Sequence, residues 1–226
     1  MQLNLRSLTG RNEIPFEDSL QSSDIRTTIL QTSMRLFQVN GYVGTSVECI
    51  ALESSCSMTA VHEEFTDRIG IFGAIVSDVV EQGLQLRIHK DDNAIDLGTV
   101  LMEHGRQIVS LSETSDLLFL YRLTVWESAA APELASAFFE YGPRRLSVRI
   151  AKQIMNDCEQ FGIQADVTRA ISNWMATLLY AQIHLRCLSR VSSASQEQMT
   201  HEAIGFLLDA ILQNARASRN NPIGRS

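Results

Sequence analysis

Along most of the chain, apolar residues return every three or four positions, the period of one face of an α-helix, and the alternating β-branched runs typical of strands are almost absent. That pattern predicts an all-α protein. Ile25, Ile29, Leu30, Met34, Leu36 and Phe37 form the stripe of a first helix, capped by Ser22, Ser23 or Asp24 and ended by Gly41. Thr45 or Ser46 caps a short second helix carrying Val47, Ile50 and Ala51, and Ser57 caps a third carrying Val61 and Phe65. Asp67 caps a long fourth helix in which Ile71, Phe72, Ile75, Val76, Val79 and Leu86 face inward. Further helices are expected at 95–111, 115–129, 132–161 with a bend around Gly142 and Pro143, 166–188 and 196–217. No period of solenoid length repeats.

Where the periodicity lapses, boundaries are expected. Residues 1–23 are polar, without a periodic apolar face, and read as a flexible arm. A three-helix domain occupies 24–68 and runs into a connecting helix at 67–89; the polar KDDN segment at 90–93 separates it from a helical bundle at 94–217, and 218–226 reads as a disordered tail.

Composition narrows the function classes. With 226 residues, 45% of them hydrophobic, a sizeable core is available. No apolar run approaches the roughly 20 residues needed to span a bilayer, so no membrane association is expected. The opening MQLNLRSLTGRNEIPFEDSLQSSD lacks the basic start and apolar stretch of a secretory signal, so the expected location is the cytoplasm. Cys49, Cys56, Cys158 and Cys187 form no C-x-x-C pair and share no zinc-like spacing with histidine. They read as small reduced side chains, with redox sensing as the alternative. Catalytic serine, histidine and aspartate arrangements, paired carboxylates, a phosphate-cradling glycine loop and an H-E-x-x-H helix are all missing; His62-Glu63-Glu64 comes nearest, but Thr66 stands where a second zinc histidine belongs. Neither an enzyme nor a cofactor or metal is expected.

The first domain carries the most specific signal. Arg26-x-x-Ile29-Leu30, Leu36-Phe37, Gly41-Tyr42 and Thr45-Ser46-Val47-x-x-Ile50-Ala51, completed by Phe65, Arg68 and Ile71-Phe72, resemble the amino-terminal signature of TetR-family transcription regulators over about fifty consecutive residues. The resemblance implies a helix-turn-helix in which the second helix buttresses a third that enters the DNA major groove. It implies DNA contacts from Thr45, Ser46, Ser57, Met58, Thr59, His62, Glu63 and Arg68. Further on, Glu127-Ser128-Ala129, Pro132-Glu133-Leu134-Ala135, Phe138-Phe139-Glu140 and Gly142-Pro143-Arg144-Arg145 resemble the carboxy-terminal domain of AefR-like members. Their plain reading is an amphipathic helix pair joined at a proline.

Three positions depart from the family pattern. Members usually have Ala-Gly-Val-Ser between helices two and three, whereas Ser54-Ser55-Cys56-Ser57 stands here; a serine at 55 enters the left-handed region only at a cost of roughly 1 kcal/mol, so the turn is either strained or shaped differently. The third helix usually reads Gly-Thr-Leu-Tyr-x-His-Phe, with Tyr and His donating to phosphates. Here His62 replaces the tyrosine and still donates, but Glu64 replaces the second donor and, being acceptor-only, repels phosphate unless turned away or paired. Charge acts in the same direction: over residues 1–68 five arginines (6, 11, 26, 35, 68) and no lysine stand against nine acids, a net charge of −4. Weak binding with a shallow salt dependence is expected. Glu63 either accepts from a cytosine amino group or is a solvated surface acid. Arg6 and Arg11 either reach a minor groove or belong to an inert tail.

In the second domain, Tyr121, Trp126, Phe138, Phe139, Met155, Met175 and Tyr180 are candidates to line an apolar cavity, with His104 and Arg122 as polar orienters; the alternative is core filler. The resemblance implies a small apolar or amphipathic effector there. The last two helices carry apolar stripes that include Trp174, Leu178 and Ile183 on one, Phe206, Leu207 and Ile211 on the other. By resemblance these pair with their copies in a homodimer, as a two-fold operator demands; otherwise they face the chain's own core. The leading expectation is a ligand-responsive regulator, a repressor, that binds a palindromic double-stranded DNA operator as a dimer and is released by the effector. The alternative is a TetR-fold sensor or protein-interaction module with weak or lost DNA binding.

Overall fold

The computed structural model describes residues 16–83, 97–160 and 193–220, together with 174, 177, 178, 181–184 and 186. Among these, every regular element is a helix: α1 Phe16–Asn40, α2 Val47–Glu53, α3 Met58–Glu64, α4 Arg68–Gly83, α5 Leu97–Ser112, α6 Ser115–Glu127, α7 Glu133–Tyr141, α8 Pro143–Gln160 and α9 Ser193–Asn220. The described residues between 174 and 186 are helical as well.

Three boundaries differ from the sequence expectation. α1 begins at Phe16, so Ser22, Ser23 and Asp24 lie inside the helix and do not cap it. Nothing in that stretch is a proline or glycine, so helix can propagate back from the packed segment that starts at Ile29. The expected bent helix at 132–161 is two helices. Gly142, at φ −105° and ψ −98°, breaks the run, and Pro143 opens α8 where its missing N–H has no partner to lose. α9 extends to Asn220, three residues into the expected tail. Arg6, Arg11, Leu86, the 90–93 segment, Met175 and Tyr180 lie outside the described residues.

Three helices begin where their caps dictate. The Ser46 hydroxyl accepts from the Cys49 amide at 3.2 Å and the Ser57 hydroxyl from the Ala60 amide at 3.0 Å. Asp67 Oδ1 accepts from the Gly70 amide at 2.8 Å and so starts α4. Between α2 and α3 the chain closes a Schellman turn: the Cys56 amide donates to the Ala51 carbonyl at 3.0 Å and the Ser55 amide to the Leu52 carbonyl at 3.2 Å. That turn needs a left-handed residue, and Ser55 takes it with φ +56°.

One apolar cluster runs through both halves. Ile29, Phe37, Ile50, Val61, Ile71 and Phe72 are fully buried, and the rings of Phe37, Tyr42 and Phe72 meet one another with centroids 5.5 to 6.3 Å apart. α4 is the shared wall: it packs on α1 on one side and on α5, α6 and above all α7 on the other. Gly73 makes the α4–α7 approach possible, since the Tyr141 ring occupies the space of any β-carbon there. From α8, Arg145 donates to the Ser77 hydroxyl at 2.9 Å and Arg149 pairs with Glu81, which ties the far end of α4 down as well. α5 packs mainly on α9.

Because Ser55 occupies a glycine position, Ser55→Gly removes a left-handed strain of roughly 1 kcal/mol at a smaller cost in chain entropy. Scanning calorimetry should show the melting temperature rising by about 2 °C, while Ser55→Val should lower it. A fall with glycine would contradict the turn geometry.

Candidate functional site

Packing α2 on α3 through Ile50, Ala51 and Val61 leaves one face of α3 outward. Thr59, His62 and Glu63 are exposed on it and Met58 is half-buried; the spacing 58, 59, 62, 63 places all four on one stripe. Ser46 and Ser57 are exposed at the amino ends of α2 and α3, each with its hydroxyl accepting an amide of its own helix. The Ser46 hydroxyl also hydrogen-bonds Glu48 and holds that carboxyl below the usual carboxylate range, aided by the helix backbone and by His62 nearby.

Two expected contact residues are turned inward. Thr45 is buried and its hydroxyl donates to the Gly41 carbonyl at 2.7 Å. Arg68 donates to the carbonyls of Thr45 at 2.7 Å and Tyr42 at 3.0 Å, with its guanidinium 4.1 Å from the Tyr42 ring centroid. Both therefore build the turn before α2 and stand apart from the exposed face. Burial pushes the Tyr42 hydroxyl pKa up, against the pull of Arg68.

Glu64 also departs from the exposed stripe. Its carboxylate lies 3.6 Å from the Arg26 guanidinium of α1, and that guanidinium in turn covers the Phe65 ring at 4.6 Å. The acid that stands at a phosphate-donor position is thus paired toward α1. Arg35 is bound to Glu53 at 2.8 Å. All three arginines among the described residues of this domain are engaged with groups of the protein itself.

The turn that Arg68 supports has a second partner. Glu127, the last residue of α6, accepts from the Tyr42 amide at 3.0 Å and from the Val43 amide at 2.7 Å. Gly41, at φ +73°, lies so close that the Glu127 carboxylate fills the space of a β-carbon. The sequence pattern singled out Glu127 only as part of a resemblance; its partner is 85 residues away.

Just before Glu127, α6 borders a groove of about 450 Å³, lined by Phe119, Tyr121, Arg122, Leu123, Val125 and Trp126 and, from the 174–186 stretch, by His184. The Tyr121 hydroxyl is 3.5 Å from His184 Nδ1. Of the expected effector residues, Tyr121, Arg122 and Trp126 come together here. Phe138 is buried behind them, its ring 5.7 Å from that of Tyr121, and His104 is buried in α5 without lining the groove. Phe119 and Leu123 were missed although they precede Arg122 and Trp126 by three residues on the same helix; His184 had no signal in the sequence. Trp126 is 87% exposed, so it forms a rim and not an inner wall.

The stripes expected to meet a second copy are mostly spent inside the chain. Trp174, Leu178, Ile183, Leu207 and Ile211 are buried, and only Phe206 of the six is open, at 77% exposed, with Leu212 near it in sequence also exposed. A smaller apolar hollow of about 290 Å³ runs along Trp174, Leu178, Ala203 and Phe206. Among the described residues, no cluster of three or more histidines, cysteines or acids could hold a metal, and no helix is long and apolar enough to cross a membrane. Cys49 and Cys56 are half-buried free thiols.

Comparison with known proteins follows the same division. Residues 99–211 match the family described as AefR-like transcriptional repressor, C-terminal domain. A protein assigned to the TetR family of transcriptional regulators from Mesorhizobium loti MAFF303099 is 25% identical, with a TM-score of 0.61 over 84% of this chain and 98% of its own. The flavonoid-responsive regulator FrrA has a TM-score of 0.64 at 20% identity, over 83% of this chain and 97% of its own. A TetR transcriptional regulator from Agrobacterium tumefaciens has a TM-score of 0.59 at 18% identity, over 84% and 98%. No curated protein matches the sequence. An all-α chain with a helix-turn-helix at one end, a helical bundle at the other and half its length matching the AefR-like domain belongs to the TetR family of transcriptional regulators.

Proposed function

We propose that the chain is a ligand-responsive repressor that binds a palindromic operator as a homodimer in the cytoplasm and is released by a small amphipathic effector. The observation that carries the reading is the outward stripe Met58, Thr59, His62 and Glu63, from which Glu64 has been withdrawn by Arg26. In the major groove such a stripe offers His62 as a phosphate donor, Thr59 as a donor or acceptor, and Glu63 as an acceptor for a cytosine amino group. Ser46 and Ser57 place two helix amino ends, with their partial positive charge, at the backbone. A second copy would cover Phe206 and Leu212 and set two α3 helices about 34 Å apart, one turn of DNA.

The effector reading rests on the α6 groove. Phe119, Tyr121 and Trp126 supply flat apolar surface, and Arg122 with the Tyr121 hydroxyl and His184 supplies a cationic, hydrogen-bonding edge. An aromatic effector bearing hydroxyl or anionic groups fits that combination, and the flavonoid response in the name of FrrA is of the same chemistry. The effector must bind the two conformations of the protein with different affinities, or it shifts nothing.

A second reading has its own support. Arg26, Arg35 and Arg68 are all occupied within the protein, which among the described residues of this domain leaves little arginine charge for phosphate and favours a module that acts through a partner.

Gel retention separates the two. At about 50 mM salt, micromolar protein should retain a duplex carrying the chain's own upstream region, with a shallow fall as salt rises; no retention would promote the partner-dependent module. In the same assay His62→Ala should weaken binding about fivefold, the worth of one hydrogen bond, whereas Glu64→His should change it less than twofold. Tightening by Glu64→His would place that side chain at the backbone. For the groove, titration with a flavonoid should quench the Trp126 emission, and the quench should vanish in Trp126→Phe while Trp174 still emits; an unaltered quench in the variant would move the effector elsewhere.

A further inference from the structure

The α1–α2 turn has an electrostatic design. After Gly41, two successive amides, those of Tyr42 and Val43, point the same way and make a small anion-binding nest. The occupant is the Glu127 carboxylate, one oxygen to each N–H. The carbonyls of the same turn point elsewhere, to the Arg68 guanidinium. An acid from one domain and a base from α4 thus hold opposite sides of six residues that end in the Ser46 cap of α2. Both sets of bonds are charge-assisted, the stronger class.

We propose that Glu127 is a positioning residue that transmits the state of the α6 groove to the recognition helix. This rests on the regulator reading above and specifies its regulation. Glu127 follows Trp126 directly, and Arg122 lies one further turn back, so any rotation or shift of α6 that accommodates an occupant moves the carboxylate. Its own carbonyl accepts from the Ala130 and Ala131 amides at 2.9 and 2.8 Å, which anchors this end of α6 to the turn before α7 and, through α7, to α4. On the other side the turn leads straight into α2, the helix against which α3 is packed. Losing the carboxylate leaves the Tyr42 and Val43 amides without that partner, releases the turn and lets α2 and α3 shift as a pair. The space left at Gly41 for the carboxylate is a second sign of close fit: any side chain there would expel Glu127.

Hydrogen–deuterium exchange of the full-length protein tests this without DNA or effector. In the wild type, Tyr42 and Val43 should exchange slowly although Val43 lies at the surface. Glu127→Ala should speed both amides at least tenfold and speed those of α3, from Val61 to Glu64, several-fold, while those of α4 from Ile71 to Val80 stay as they were. Glu127→Gln, which keeps one acceptor oxygen, should keep protection at one of the two amides and give an intermediate effect on α3; it also serves if the alanine variant does not fold. The proposal is overturned if Tyr42 and Val43 are unaffected in a folded variant, if they speed up while α3 does not, or if α4 speeds up equally. Should the exchange pattern appear as described while the upstream duplex is never retained, the joint stands and the operator reading falls. Should DNA be retained with no change in exchange, the joint alone falls.

Discussion

The turn from Gly41 to Thr45 is the constraint on which the two halves of the molecule depend. Leaving one helix and entering another strips a chain of backbone partners, and buried groups without partners cost free energy. Here the missing partners come from afar, Arg68 for carbonyls and Glu127 for amides. Tyr42 closes the arrangement from inside, its ring against Phe37 and Phe72 and under the Arg68 guanidinium. A local problem of backbone bonding has thereby been solved with tertiary contacts, and the solution joins the helix-turn-helix to α6.

The same use of charge gives two acids of the helix-turn-helix domain, Glu64 and Glu53, a role inside the protein. Arg26 is neutralised by Glu64, Arg35 by Glu53, and Arg68 serves the turn. Exposed pairs of this kind add little stability, on the order of 0 to 1 kcal/mol. Their larger effect is on the field outside: the acid at a family phosphate-contact position is masked, and so are the arginines among the described residues of this domain. On the operator reading proposed above, specificity would rest on the short stripe at 58, 59, 62 and 63, acting at close range with little long-range attraction.

α4 carries the consequences to the other half. Gly73 brings the Tyr141 ring onto it, and Arg145 and Arg149 hold its far end, so α4 is tied along its length to α7 and α8. α6, by contrast, has one side in the core through Leu117, Leu120 and Leu123 and another open along Arg122, Val125 and Trp126. A helix that is half core and half groove is suited to report occupancy, and its last residue is the one bound to the turn.

Local chemistry settled much in advance. Periodicity of 3.6 gave the helical class, and caps at 45 or 46, at 57 and at 67 marked three helix starts, because each depends on neighbours within a few residues; Ser55 stood out only against the family pattern, and the fold resolved its turn as left-handed. Start signals failed for α1, where Ser22, Ser23 and Asp24 are continued through as ordinary helix. The direction in which a polar side chain points was beyond such reasoning. Thr45 and Arg68 looked like DNA contacts and are turned to the protein's own backbone, Glu64 was expected to repel phosphate unless turned away or paired and is paired, and His184 reaches Tyr121 across 63 residues. Apart from Thr45, whose partner Gly41 sits in the same turn, the deciding partner comes from another element. The sequence by itself thus determined which segments become helices and which of their faces are apolar, since those follow from short-range sterics and burial; only the tertiary structure decided which charges are used up inside and which remain to act, because long-range packing chooses their partners.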